Sequence, residues 1–597
     1  MSGDSDYSRP AAGAAAQVAL NTHDILCQIF QVDRHFRPKL SRKDLFRCAL
    51  VSRAFCEPVL RRLWRDMSPP DPLWLLLAPT GMSSTLEDLT SDLFDVVLSE
   101  RTYADPARWS RFMWYARFVQ KLDIMTLVSA DPLKQQLLIR TLIEHNGGES
   151  IFPSLQTLWW SPSSHSDSSY FPPFTPQIRS APFSFPSPKQ EDIDREDKNS
   201  KSSAFLARLR ASSSRLSYLY LDMCRERIGP SYSRIISSFE HLTRVNLIAS
   251  ISLTSFRELA TMPRMKSLQI TYVSSNEPGP SHHPIVPIYA PRLKLISIRG
   301  NCPSLTQLFT ALHAPALRSA SLYAMCDSTS GDYVSCIEAL ATVGASSTME
   351  ALHIELEEGC SDDGWPAISA PTTHQGVSDL LGPLHVFCKA KRVSLACPTL
   401  ALVAADHDFD VLARAWPKLR TFELDEAYWA PRMGTDGDEA IPTPKLLESF
   451  RDHCPHLREL TLPHLDLEAD VPEPKPYFPK AGRGSRHRLK HLSFGAKDPD
   501  GDSDDSDDSD EEAEDEDEAS GEAAAPALDG EKAAAWARYI LALFPKLDAT
   551  YGHAECKIAS ATGWAEVFAR VRGLRKARKD VSSSDCGVTV WESSKCL

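Results

Sequence analysis

The chain has 597 residues, of which 42% are hydrophobic, so it holds enough apolar material for a large folded core and is not disordered throughout. The formal charge of −14 is local: the segment from Asp502 to Glu522 carries 14 acidic residues and no Lys or Arg, which leaves 65 acidic and 65 basic residues elsewhere. Because the rest of the chain is neutral overall, no general attraction to nucleic acid is expected.

No stretch approaches the roughly 18 apolar residues that a membrane helix needs, and the alanine-rich start lacks the basic leader of a signal peptide. The 14 cysteines show no paired spacing, which is typical of reduced thiols in a large intracellular protein. The sequence therefore predicts a soluble protein of the cytoplasm, the nucleus or both, with no membrane partner.

Residues 1–19 are small and polar and predict a disordered tail, and three short amphipathic helices are predicted within residues 20–67. Ser41 and Asp44 have the spacing of a capping box that opens the second helix, and Pro58 suits the first turn of the third. A unit this small has a marginal core, so a partner is expected to cover part of its apolar surface. The apolar positions are Ile25, Leu26, Ile29 and Phe30 in the first helix, Leu45, Cys48 and Ala49 in the second, and Leu60, Leu63 and Trp64 in the third.

This stretch resembles the F-box, a family of small helical adaptors, in the order and most of the spacing of its motifs. The resemblance rests on the runs Asp24-Ile25-Leu26-Cys27-Gln28-Ile29-Phe30, Leu40 before Asp44-Leu45, Val51-Ser52-Arg53-Ala54-Phe55, and Leu63-Trp64. Asn21-Thr22 stand where the family has Leu-Pro, and the gap from Phe30 to Leu40 is longer than the family's. An ordinary helical hairpin is the alternative explanation of the same periodicity.

The resemblance implies docking on the Skp-type linker subunit of a cullin-RING ubiquitin ligase. Some of the residues that match the motif must instead fill the unit's own core. The candidate linker-binding residues are Ile25, Leu26, Ile29, Phe30, Leu45, Val51, Leu63 and Trp64.

After a helical spacer at residues 68–117, a pattern of an anchor residue followed by apolar-polar-apolar triplets recurs through residues 118–495. Such alternation predicts strands with one buried face, and the intervals between triplets leave room for helices. The ten clearest triplets begin at Leu219, Val245, Leu268, Ile296, Ala320, Leu352, Val393, Phe422, Leu460 and Leu492.

The recurrence resembles an irregular leucine-rich repeat array. The resemblance implies an α/β fold class overall: a small all-α F-box-like unit followed by a solenoid with parallel strands on its concave face and helices outside. A conventional α/β domain is the alternative, and the tenfold recurrence of one pattern disfavours it. The polar middle residues would then line a surface for a protein substrate, with Tyr220, Asn246, Gln269, His353 and Glu423 as the candidate substrate-binding residues.

Composition separates the remaining segments. Residues 161–203 are rich in Ser, Pro and charge and predict a disordered insertion, and residues 496–530 predict an acidic disordered segment. A terminal capping repeat is predicted at residues 531–575 and a tail at residues 576–597. Ser503, Ser506 and Ser509 are candidate phosphorylation sites: Glu512 lies three residues after Ser509, as an acid-directed kinase prefers, and phosphate on Ser509 would then prime Ser506 and afterwards Ser503.

No catalytic motif rises above background, because the sequence has no P-loop, dinucleotide fingerprint, nucleophile elbow or HExxH helix. His453-Cys454-Pro455-His456 stands at the entry of a repeat and is interpreted as structural rather than as a metal site. No enzyme activity, cofactor or metal is expected.

These observations predict a substrate-recognition adaptor of a Skp-cullin-F-box ubiquitin ligase. Two alternatives stay open: a ligase-independent repeat scaffold that binds basic partners through its acidic segment, and a GTPase-regulating repeat protein. The sequence does not identify the substrate, the oligomeric state, or whether recognition needs phosphorylation.

Overall fold

The computed structural model describes most of the chain and divides it into two compact units, Met1–Ile270 and Thr271–Leu597. The described residues are 22–31, 41–68, 70–79, 89–124, 132–160, 177–184, 197–273, 286–326, 330–345, 347–358, 374–398, 400–425, 428–429, 441–463, 465–467, 469–473, 487–495, 529–547 and 564–584. Within these ranges, no helix has the length and apolar character needed to cross a membrane.

The first unit opens with three short helices, α1 (His23–Gln31), α2 (Arg42–Val51) and α3 (Arg53–Leu63). The predicted capping box forms at α2: the Asp44 N–H donates to Ser41 Oγ over 3.1 Å, and the Ser41 N–H donates to Asp44 Oδ2 over 3.3 Å. The predicted start of the third helix at Pro58 is wrong. Ser52 accepts a hydrogen bond from the Ala54 N–H and caps the helix, so α3 begins at Arg53 and Pro58 lies inside it.

The rest of the first unit alternates helices with parallel strands whose order in the sheet follows the chain, from β1 to β7. The strands are β1 (Asp66–Met67), β2 (Lys121–Asp123), β3 (Thr157–Trp159), β4 (Ser180–Ser184), β5 (Tyr218–Ile228), β6 (Arg244–Ile251) and β7 (Ser267–Val273), in which the division between the units falls. The helices are α4 (Asp71–Trp74), α5 (Leu89–Ser99), α6 (Pro106–Ala116), α7 (Pro132–His145), α8 (Asp197–Ser212), α9 (Pro230–Ser237) and α10 (Leu253–Ala260).

The second unit continues the alternation, with seven parallel strands in the order β9-β11-β12-β14-β16-β18-β19, a two-stranded sheet β10-β8 and a three-stranded sheet β13-β15-β17. Its strands are β8 (Ile288–Tyr289), β9 (Leu295–Asn301), β10 (Leu312–His313), β11 (Ser319–Cys326), β12 (Ala351–Glu358), β13 (His374–Gly376), β14 (Arg392–Ala396), β15 (Ala401–Val403), β16 (Thr421–Asp425), β17 (Tyr428–Trp429), β18 (Glu459–Pro463) and β19 (His491–Gly495). Its helices are α11 (Cys302–Ala311), α12 (Ser330–Ala341), α13 (Val377–Leu381), α14 (Asp406–Ala415), α15 (Leu446–His453), α16 (Gly530–Leu543) and α17 (Trp564–Ser584).

The predicted fold class is confirmed: a helical N-terminal unit precedes repeating parallel strands with helices between them. All ten predicted triplets lie in strands, and their outer residues are buried while the middle residues are partly exposed. Leu352 and Ile354, for example, are buried at 2% and 0% exposure on either side of the half-buried His353. The period of two between buried and exposed side chains is what a pleated strand with one apolar face requires.

The structure departs from the predicted segment boundaries at several places, one of which is helix α8, since it begins at Asp197 inside the predicted insertion at residues 161–203. Strand β1 starts the sheet at Asp66, well before residue 118, because two residues are too few to show a period of two. Strand β4 lies inside the predicted insertion at residues 161–203, where prolines and serines surround a buried Phe183 and hide the alternation. Helix α17 (Trp564–Ser584) continues into residues 576–597, the stretch that was predicted to be a tail. The acidic segment and Ser503, Ser506 and Ser509 lie outside the described residues.

Buried donors join successive repeats in the second unit. The Trp416 indole N–H donates to the Leu384 carbonyl over 3.4 Å, and the Cys454 thiol donates to the Ala413 carbonyl over 3.4 Å. Burial raises the pKa of the Cys454 thiol to about 12, so the sulfur stays protonated and serves as a donor. Trp416 and Cys454 each stand three residues before a buried leucine, Leu419 and Leu457, and each donates to a carbonyl of the preceding repeat.

His487 makes the corresponding contact at the last repeat before the acidic segment. Its Nε2–H donates to the Cys454 carbonyl over 2.9 Å, while its Nδ1 accepts from the Leu489 N–H over 3.2 Å. Because both nitrogens are engaged as in a neutral ring, protonation of Nδ1 would break the bond from Leu489. Burial lowers the pKa of His487 to about 4.

We expect this histidine to make the second unit sensitive to acid. An unfolded histidine takes up a proton near pH 6.5 and folded His487 near pH 4, so stability is full above pH 6.5 and falls as the pH drops between these values. Between pH 7 and pH 5 the loss should be about 2 kcal/mol, measured as a lower urea midpoint. His487→Gln should remove most of this difference, whereas the exposed control His456→Gln should retain it. Equal pH dependence in both variants would contradict the assignment.

Candidate protein-interaction surfaces

The core of the three N-terminal helices is built from residues of all three. Leu26, Phe30, Leu45 and Val59 are buried together, and the Phe30 and Phe55 rings meet edge to face at 5.8 Å between centroids. Cys48, Ala49 and Leu63 pack against this cluster from its rim. The predicted inner stripe of α2 therefore faces the core as expected.

This core uses several of the residues predicted to bind a linker subunit. Leu26, Phe30 and Leu45 are at most 9% exposed, so they are not available to a partner while the unit is folded. Leu63 is half-buried, and Trp64 packs on the Tyr115 ring of α6 at 4.4 Å. The physical reason is size: three short helices need these apolar side chains to close any core at all.

Three predicted linker-binding residues remain: Ile25, Ile29 and Val51. Ile25 is 38% exposed and Val51 is 73% exposed, so both face solvent. Ile29 lies in α1, and its side chain lies outside what the structure describes.

Two residues that the sequence interpretation missed complete an exposed apolar face on α2. Phe46 is 56% exposed and Leu50 is 71% exposed, and the two are one helical turn apart. Together with Val51 they form what we call the α2 face, defined by Phe46, Leu50 and Val51. The signal was in the sequence, because the run Leu45-Phe46 to Leu50-Val51 places apolar residues on two sides of one helix. Exposed large apolar residues grouped on one short helix mark a surface for association.

A basic cavity of about 340 Å³ lies at the C-terminal end of α3, and its lining includes Arg61, Arg62, Arg65 and Arg117. The carboxylate of Glu57 pairs with Arg61 over 2.9 Å, and this hydrogen bond lowers the pKa of Glu57. Arg61 and Arg62 lie in the last helical turn, where a positive charge interacts favourably with the helix dipole. Arg61 therefore has a structural role at the end of the helix through its pair with Glu57.

The polar middle residues of adjacent strands lie opposite one another and form rows across the sheet. In the first unit Tyr220 pairs with Asn246 across β5 and β6, and Gln269 lies in β7, the next strand in the order. In the second unit the row runs through Ser297, Ser321, His353, Ser394, Glu423, Thr461 and Ser493, each in register with the next. The structure therefore brings Tyr220 and Asn246 together, and it places Ser394 between His353 and Glu423.

His353 is the centre of contacts in the second row. Its Nδ1 lies 3.2 Å from Ser394 Oγ, its Nε2 lies 3.7 Å from Glu355 Oε2, and its ring meets the Tyr323 ring edge to face at 5.4 Å. Burial lowers the pKa of His353 against the opposing effect of the Glu423 charge, so the ring is neutral at pH 7. This part of the strand face offers hydroxyl, imidazole and carboxylate groups around an aromatic centre, with the Arg299–Glu357 ion pair beside it. Among the described residues, no group of three His, Cys, Asp or Glu side chains is placed to hold a metal ion.

The described residues thus comprise a helical unit with an exposed apolar face, followed in the chain by a run of parallel-strand repeats. Comparison with known proteins agrees for the first part: residues 23–69 match the family model described as F-box-like. The chain therefore contains an F-box-like domain at its N-terminal helices. No curated protein matches the chain.

A solved structure, the Rad7 and Elc1 complex in yeast, aligns with 62% of this chain and 92% of its own at 9% sequence identity. The TM-score of 0.28 is too low for this likeness to support a conclusion about the chain.

The two sides of α2 should respond differently to truncation. Leu45→Ala removes a buried side chain and should lower the free energy of unfolding of the F-box-like domain by about 2 to 4 kcal/mol. Leu50→Ala removes an exposed side chain and should change it by less than about 0.5 kcal/mol. Hydrogen exchange of the α2 and α3 amides in the full chain would measure both. A large loss of protection in Leu50→Ala would contradict the burial assigned to α2.

Proposed function

We propose that the chain is a substrate-recruiting adaptor of a cullin-RING ubiquitin ligase. The F-box-like domain would dock on a Skp-type linker subunit, the repeats would hold a protein substrate, and other subunits would transfer ubiquitin. The observation that carries the proposal is the α2 face: an apolar surface left uncovered on the domain that matches the F-box-like model.

The energetics support docking through exposed rather than core residues. Burying a large apolar side chain contributes about 1.5 to 3 kcal/mol, and association costs about 4 kcal/mol or more. Phe46, Leu50, Val51 and Ile25 together therefore offset the lower range of that cost before any hydrogen bond forms. Of the residues predicted from sequence, this proposal retains Ile25 and Val51 as contacts and assigns Leu26, Phe30 and Leu45 to the supporting core.

The first test is binding of a purified Skp-type linker subunit to the full chain by isothermal titration calorimetry. Leu50→Asp with Val51→Asp should weaken binding by at least about a hundredfold, because two apolar contacts worth roughly 3 kcal/mol in total are lost. The matched control is Leu137→Asp on α7, which changes another leucine that is 53% exposed in the same unit.

Either of two results would count against docking. Equal binding by the double variant would exclude the α2 face as the contact. A folded native chain that fails to bind an active linker subunit would favour the ligase-independent scaffold instead.

Substrate recognition is proposed for the polar rows of the strands, with Tyr220, Asn246 and Gln269 in the first unit and His353 and Glu423 in the second. A strand residue whose neighbours are also polar and half-exposed has little role in the core, so a row of them is available for recognition. Half-buried polar groups with neutral and acidic character suit a substrate segment that supplies hydrogen-bond donors.

Photo-crosslinking in cells tests this assignment. A benzoylphenylalanine at Ser394, between His353 and Glu423, should crosslink proteins whose abundance rises when the chain is deleted. The same probe at Arg414 on α14 is the control, since that side chain is 64% exposed and pairs with Asp410 of the same helix. An equal set of crosslinked proteins at both positions would contradict the proposal.

Phosphorylation of Ser503, Ser506 and Ser509 stays a prediction. Each phosphate would add about −1.5 to −2 charges to a segment that is already acidic. Phosphopeptide mapping of the chain from its own cells should find the three serines modified, and three unmodified serines would remove the idea.

A further inference from the structure

A row of basic residues runs along one edge of the strands in the second unit, at the position just before each strand begins. Consecutive members are joined through the backbone, with each N–H donating to the carbonyl of the previous member over 2.7 to 2.8 Å; the position between Arg318 and Lys391 is taken by Glu350. We call the six cations the basic ladder: Lys294, Arg318, Lys391, Arg420, Arg458 and Lys490. Neighbouring strands are about 4.8 Å apart, so the ladder extends over roughly 29 Å.

The basic ladder carries a net positive charge even when the carboxylate of Glu350 is counted with it. Glu350 pairs with Lys391 over 2.8 Å, and this bond, aided by the nearby charges of Arg318 and Arg420, lowers the pKa of Glu350. One carboxylate therefore lies among at least three cations. Five of the six cations are exposed, and Lys391 is half-buried.

The far end of the ladder opens into a second basic cavity, of about 520 Å³. Its lining among the described residues includes Arg458 and Lys490 of the ladder, and Arg488, Lys546 and Arg575 beside them. No carboxylate belongs to this lining within the described part of the chain. Like charges held this close repel one another, and an anionic partner relieves that repulsion.

The acidic segment of the same unit has the matching charge and length. It carries 14 acidic residues and no cation between Asp502 and Glu522, and the chain leaves the array at Gly495, five residues after Lys490. The 33 residues from 496 to 528 can extend over about 110 Å, so a path out and back reaches about 55 Å, nearly twice the length of the ladder.

We propose that the basic ladder is the docking surface of the chain's own acidic segment, residues 502–522. Attachment to β19 holds the segment at a high effective concentration near the ladder, so occupancy needs no strong individual ion pair. An acidic partner protein would have to displace the segment to reach the ladder. Single-stranded nucleic acid fits less well, because none of the ladder positions carries an aromatic side chain on which bases could stack.

The test uses a fluorescein-labelled peptide of residues 502–522 and fluorescence anisotropy. The receptor is either the native chain or a full-length variant in which residues 502–522 are replaced by an equal number of alternating Gly and Ser. The replaced variant should bind the peptide about tenfold more tightly, because its ladder is vacant. Raising NaCl from about 50 mM to about 300 mM should weaken this binding, as expected for exposed charges.

Substitutions in the replaced variant locate the site. Arg420→Glu with Arg458→Glu should weaken peptide binding by about tenfold or more. The control, Arg62→Glu with Arg65→Glu, reverses two charges in the basic cavity of the first unit and should leave binding within about twofold. If the reversed ladder variant loses its circular dichroism, Arg420→Gln with Arg458→Gln provides the same comparison with less disturbance, and it should also weaken binding.

Three outcomes would overturn the proposal. Equal peptide affinity of the native and replaced chains would show that the segment does not occupy the site in the intact protein. Unchanged binding by folded ladder variants would place the site elsewhere. Displacement of the peptide by oligodeoxythymidine at a lower concentration than by unlabelled peptide would assign the ladder to nucleic acid instead. None of these results depends on whether the chain binds a linker subunit.

Discussion

Burial of each repeat's apolar strand face by its neighbours is the constraint on which the rest of this structure depends. Leu352 and Ile354 are out of water only because β11 and β14 flank β12 and helices cover that side. The surface between two neighbouring repeats is therefore buried, and polar groups on it need hydrogen-bond partners in the neighbouring repeat. Trp416 and Cys454 are two such groups: the indole donates to the Leu384 carbonyl and the thiol to the Ala413 carbonyl, so both buried donors have partners in the preceding repeat.

The same constraint creates surfaces by repetition. Because the strands stay in register, residues at the same position of successive repeats line up in a row. Where such a row lies outside the core, its side chains can be polar. The middle row around His353 and the basic ladder arise in this way from two different positions of the same unit. Each row has its own chemistry, mostly hydroxyl side chains with His353 and Glu423 in one case and basic side chains in the other, so one array can present separate surfaces to different partners.

The array was largely predictable from sequence because alternation of buried and exposed residues is a local signal. Val393-Ser394-Leu395 and its equivalents show it without any knowledge of neighbours. The F-box-like surface was harder to predict: periodicity identifies apolar positions, but only packing decides whether Leu45 or Phe46 turns inward. Sequence also missed β1 and β4, the first because two residues carry no period, and the second because proline and serine surround it. The basic ladder could have been found by aligning the residues before each triplet.

Strand β1 has a mechanical consequence for the F-box-like domain. The Arg65 carbonyl accepts from the Gln120 and Lys121 N–H groups, and Asp66 pairs with Lys121 over 3.3 Å, so the end of α3 is fastened directly to the first repeats. The F-box-like domain is therefore joined to the first repeats by sheet hydrogen bonds and an ion pair rather than by a flexible linker. Reorienting it would require breaking sheet hydrogen bonds. The first repeats would therefore fix the orientation of a partner bound at α2.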